Sequence, residues 1–122
     1  MASKEPEADH ALMGVVSGEV WYRERQALPA GARVMVTLED QSRADAPATV
    51  ITSYIHVVDR DAPPYPFRLV YDPAAIDDRH VYGLRARIEH AGKLVFTSTE
   101  RIDPFAGTPG EPVRILVSRM PP

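Results

Sequence analysis

The sequence predicts an all-β domain, a sandwich of about seven antiparallel strands, and three observations predict it. Apolar and polar residues alternate with period two, as in strands whose successive side chains point to opposite faces. The alternating runs are short, and each stops at Pro, Gly or Asp. Twelve prolines among 122 residues exclude long helices, because proline lacks a backbone N–H and its ring clashes with the carbonyl four residues back.

Residues 1–12 are polar and aperiodic and read as a flexible leader, with one domain over residues 13–122. The first strand, Gly14 to Arg23, sets Val16, Gly18, Val20 and Tyr22 on one face and Ser17, Glu19, Trp21 and Arg23 on the other. Leu28 to Gly31 turns the chain. Arg33 to Asp40 alternates most cleanly, with Val34, Val36 and Leu38 inward and Arg33, Met35, Thr37 and Glu39 outward. Ala48 to Val58 is β-branched but apolar on both faces, so its inward side is not defined. Prolines at 63, 64 and 66 precede Phe67, Leu69 and Tyr71, which places a short fourth strand at a sheet edge. Asp72 and Pro73 suit the N-cap and first position of a short helical turn near residues 73–77. His80 to His90 and Lys93 to Ile102 form a hairpin around Ala91-Gly92, with Tyr82, Leu84, Ala86 and Ile88 inward. Asp103 to Pro112 is a long loop before the last strand, Val113 to Met120. An immunoglobulin-like or transthyretin-like arrangement accommodates these elements.

Composition narrows the function. A net charge of −3, with two Lys and twelve Arg scattered along the chain, offers no concentrated positive footprint for nucleic acid. No apolar run is long enough for a signal peptide or membrane span, and cysteine is absent, which excludes disulfides, thiolate metal sites and cysteine nucleophiles. His10, His56, His80 and His90 fall in no short ligand pair and read as separate imidazoles, so no metal or other cofactor is expected. The loop aspartates Asp59, Asp61, Asp72, Asp77 and Asp78 read as turn caps. No Gly-x-Ser-x-Gly elbow or phosphate-cradling glycine loop is present, and no catalytic residue is assigned.

Trp21 stands on the polar side of its strand, and outward aromatic and arginine side chains commonly anchor interfaces. If the first, second and fifth strands are neighbours, Trp21, Met35, Arg85 and Arg87 form one partly apolar patch for a partner. The alternatives are a facing wrong by one residue, or arginine stems that simply cover the indole.

Several strings resemble the YbaY family of bacterial lipoproteins, related to the YscW lipoprotein chaperones of type III secretion. They are Val20 to Arg25 with Ala27-Leu28-Pro29, Leu38 to Ala48, Pro66-Phe67, Tyr71 to Asp77, Tyr82 to Glu89 and Gly92 to Ser98. The resemblance runs from about Gly14 to Pro104 and is most distinctive over Ser42 to Pro47. It implies a β-sandwich of the cell envelope or periplasm that binds or assists another envelope protein, attached to the membrane only through a lipid anchor. This chain has no lipid-accepting cysteine and no leader of that kind, so a cytoplasmic location stays open beside the envelope one.

The primary expectation is therefore a non-enzymatic binding or chaperone-like module that holds a protein segment on a sheet face or edge. Val113 to Met120 is the expected free edge. Two alternatives are a ligand-binding or enzymatic sandwich with a pocket among the loops Asp59 to Pro66 and Asp103 to Pro112, and a purely structural envelope domain.

Overall fold

A computed structural model describes residues 13–105 and 111–121; the expected leader and the middle of the Asp103 to Pro112 loop lie outside the described residues. Seven strands follow in chain order: β1 Gly14–Trp21, β2 Arg33–Asp40, β3 Thr49–Val57, β4 Tyr65–Tyr71, β5 Tyr82–His90, β6 Lys93–Ser98 and β7 Val113–Arg119. The one helical element among the described residues is a 3-10 turn, Pro73–Ala75. Asp72 caps it by accepting from the Ala74 N–H at 2.9 Å, and Pro73 occupies the start, where its missing donor costs nothing. No helix of the described residues is long and apolar enough to cross a membrane.

The strands form one mixed sheet in the order β3-β2-β5-β6-β7-β1-β4. It curls into a nearly closed barrel, so the two layers expected of a sandwich are halves of one continuous sheet. All pairs are antiparallel except β1 with β7, which run parallel with Gly18 opposite Val113 and Trp21 opposite Leu116. Ladder bonds join neither β3 nor β4 to a second strand, so these two are the edges. They meet across the seam of the barrel, where the His56 and Tyr65 rings lie 5.9 Å apart.

The edge position of β4 follows from its prolines. The expectation of a free edge at Val113 to Met120 is corrected, because β7 bonds to β1 on one side and β6 on the other. The expected adjacency of β1 to β2 and β5 is also corrected, since β6 and β7 separate β1 from β5.

The inward faces of β1, β2 and β5 are as the alternation predicts. Val16, Val20 and Tyr22, then Val34, Val36 and Leu38, then Tyr82, Leu84, Ala86 and Ile88 are all buried, together with Tyr65, Phe67, Leu69, Phe96, Ile115 and Val117. This closed apolar interior is the dominant stabilising term. The β5–β6 turn places both Ala91 (φ 52°) and Gly92 (φ 78°) in the left-handed region, the type I′ geometry that matches strand twist in a two-residue hairpin. At Gly18 the backbone of β7 comes so close that an added Cβ would lie 1.9 Å from the Val113 carbonyl oxygen. Only glycine admits the parallel ladder there.

Candidate interaction surface

Register builds the site on the outer face of β3, β2 and β5. Met35 lies between Ile55 of β3 and Arg87 of β5, and Thr37 lies between Ser53 and Arg85. A bulge at Leu38/Glu39 leaves Ile51 as the extra residue of β3 and brings Val50 opposite Glu39 on the same outer face. The strand that the sequence left undefined thus turns Thr52, Tyr54 and His56 inward, in register with Leu38, Val36 and Val34. Its more apolar side meets solvent: Val50, Ile55 and Val57 are 53%, 46% and 57% exposed. Single exposed apolar side chains are ordinary; here three stand on one strand beside Met35. Met35, Ile55 and the stems of Arg85 and Arg87 border a cleft of about 300 Å³.

An ion pair between a buried carboxylate and a half-exposed arginine lies at one end of this cleft. The Glu39 side chain is only 5% exposed; its carboxylate pairs with Arg85 Nε at 3.3 Å and accepts from Thr37 Oγ1 at 2.8 Å and from Gln41 Nε2 at 3.4 Å. Satisfying the carboxylate this way offsets its desolvation and limits the rotamers open to Arg85. Arg85 also borders a second hollow, a groove of about 520 Å³ between the loop after β2 and the segment after β6. Arg43, Arg101 and Glu100 line it too, and Arg101 Nη2 donates to the Tyr82 carbonyl at 3.1 Å. Cleft and groove meet at Arg85.

Of the four residues expected to form a patch, Met35, Arg85 and Arg87 come together and Trp21 does not. Trp21 lies on β1, half-buried, with the Arg114 guanidinium 5.1 Å from its ring centroid and Arg114 held by Glu19 at 3.1 Å. An arginine covering the indole, one of the alternatives weighed for Trp21, is what β7 supplies. The sequence reading missed Val50, Ile55 and Val57, whose facing depends on the bulge, and Arg43 and Arg101, which tertiary structure alone brings to the groove.

The remaining polar clusters hold loops. Asp40 accepts from the Ser42 hydroxyl at 2.6 Å and meets His80 Nδ1 at 2.6 Å. Ser42 Oγ in turn accepts from the Val81 N–H at 2.8 Å, so the trio ties the end of β2 to the entry of β5. The Ser42 hydroxyl bond, then that of His80, holds the Asp40 carboxyl down at about 2. His56 pairs with Asp61, whose carboxyl is lowered first by the Asp59 N–H and then by His56. Asp77 accepts from Arg79, which lowers its carboxyl. Asp59 and Asp78 remain turn residues by position. Among the described residues, no three His, Asp or Glu side chains are grouped to hold a metal ion.

A family model described as type III secretion system lipoprotein chaperone (YscW) matches residues 12–115. The chain belongs to this family. Within the curated relatives, the uncharacterized lipoprotein YbaY of Escherichia coli (strain K12) is 37% identical over 95 residues, 78% of this chain and 50% of the relative. The chain therefore spans about half the length of that YscW-like lipoprotein. The solved structure of an alternative pilotin from the type II secretion system of Vibrio cholerae is 38% identical, with a TM-score of 0.76 over 88% of this chain and 99% of the other. The family resemblance carried by the strings between Val20 and Ser98 is thus shown, and the relatives bear the names of a lipoprotein, a chaperone and a pilotin rather than of enzymes.

Proposed function

We propose that this domain is a non-enzymatic, chaperone-like module of the cell envelope, which holds a segment of another envelope protein across the outer face of β3, β2 and β5. The observation that carries the reading is the apolar group of Met35, Val50, Ile55 and Val57 on that face, bordered by Arg85 and Arg87. Such a surface, apolar at its centre with arginine around it, has the anatomy of a protein contact. The names of the relatives support a client protein and an envelope location. The face is favoured over a sheet edge because β3 and β4 turn their edges toward each other at the seam.

The test is retention of native-host envelope proteins by the immobilised domain, compared among wild type, Ile55→Asp and Trp21→Ala. Ile55 is 46% exposed and lies outside the core, so its replacement should change the thermal midpoint little and abolish retention of the partner. Trp21→Ala should retain it. The opposite pattern, with loss at Trp21 and none at Ile55, overturns the assignment of the face.

A further inference from the structure

We infer that the segment this surface takes is acidic and amphipathic, with an apolar side chain seated in the cleft at Met35 and Ile55 and carboxylates directed to Arg87, Arg85 and the arginines of the adjoining groove. The inference rests on the reading of the β3-β2-β5 face as the docking surface and adds the chemistry of the partner.

Charge carries it. The chain as a whole is acidic, at −3, yet the two joined hollows are bordered by Arg43, Arg85, Arg87 and Arg101 against the single carboxylate of Glu100. Glu39 pairs with Arg85 Nε at 3.3 Å and neutralises part of its charge. Neither Arg43 nor Arg87 forms an ion pair among the described residues. Guanidinium groups without carboxylate partners, standing at the rim of an apolar cleft, complement carboxylates that flank an apolar side chain. Concavity separates a peptide from a lipid surface: hollows of about 520 and 300 Å³ admit side chains, whereas a bilayer is met by protruding groups. Rim pairs of this kind also steer encounter, so the preference should be strongest at low salt.

The test uses two synthetic peptides with the same apolar residues, one with glutamates and one with lysines at every flanking position. Binding is read by fluorescence anisotropy and by amide shifts of the ¹⁵N-labelled domain. At low salt the acidic peptide should bind about tenfold tighter or better, as a few exposed ion pairs allow. The shifted amides should lie at Met35, Ser53 to Val57 and Arg85 to Arg87, and Arg43→Glu/Arg87→Glu should reverse the preference. Equal binding of the two peptides, no binding of either, or shifts confined to another face overturns the inference. So does Arg87-dependent binding to phosphatidylglycerol vesicles without any preference between the peptides. If the acidic preference fails while retention of the native partner still depends on Ile55, the docking face stands and only its charge chemistry falls. If Ile55 dependence fails as well, the face itself is wrong.

Discussion

Replacing Gly18 by alanine tests the junction that makes one sheet of two half-sheets. The added Cβ would sit 1.9 Å from the Val113 oxygen, 2.7 Å from its carbonyl carbon and 2.8 Å from its nitrogen, all backbone atoms that cannot swing aside. Ordinary contact begins at 3.4 Å, so β1 and β7 must part by roughly 1.5 Å at this point. The parallel ladder runs only from Gly18/Val113 to Trp21/Leu116, and opening one end weakens most of it. Two or three backbone hydrogen bonds at about 1 kcal/mol net each, together with strain around buried Val20 and Ile115, give an expected loss of about 2–4 kcal/mol. With a urea slope of about 2 kcal/mol/M, the unfolding midpoint should fall by about 1–2 M. Ser17→Ala, on the exposed face one residue away, should stay within about 0.5 kcal/mol of wild type. An unchanged midpoint for Gly18→Ala would refute the claim that a close backbone approach, rather than mere smallness, governs this position.

Tyr65 is 1% exposed and its hydroxyl has no hydrogen-bond partner among the described residues; Tyr65→Phe should therefore be neutral to about 1 kcal/mol stabilising, and a clear drop in thermal midpoint would show that the hydroxyl is bonded. Ala91 holds φ at 52°, a conformation that asparagine tolerates better, so Ala91→Asn should add about 0.5–1 kcal/mol to the urea-derived stability, and a loss would contradict the type I′ assignment. Because the Asp40 carboxyl is lowered from 3.8 to about 2 by Ser42 and His80, its contribution is fully present above the unfolded value and is lost as pH falls from about 4 through about 2. Urea midpoints measured across that window should decline less for Asp40→Asn than for wild type; identical slopes would remove Asp40 from the linkage.

What the sequence revealed is what local chemistry decides. Val34, Val36 and Leu38 alternate strictly with polar neighbours, so only one facing buries them, and Asp72-Pro73 carries its cap in two adjacent residues. In β3 both faces are apolar, so composition cannot choose between them. The choice is made by register against β2 and by the bulge at Ile51, neither of which leaves a mark within the strand. Trp21 was assigned its correct side of β1 but grouped with the wrong neighbours, because strand order depends on a pairing with Val113 to Leu116 across more than ninety residues of chain. The same pairing turned the expected free edge into an interior strand. Asp40 and Ser42 are two residues apart and legible as a turn, whereas the contact with His80 arises only when the ends of β2 and β5 meet.

The position of β7 has a consequence for how the domain comes into being. It is the last of the seven strands to be synthesised, and among the described residues its ladder bonds alone join the group β3-β2-β5-β6 to the pair β1-β4. Until Val113–Arg119 has emerged, the nascent chain presents four bare strand margins instead of two, each able to adhere to a stranger. Completion comes late in the order of the strands and brings together partners from opposite ends of the domain, a slow step by the ordinary cost of closing so long a loop. The unfinished domain thus passes through an interval in which those margins themselves need shielding.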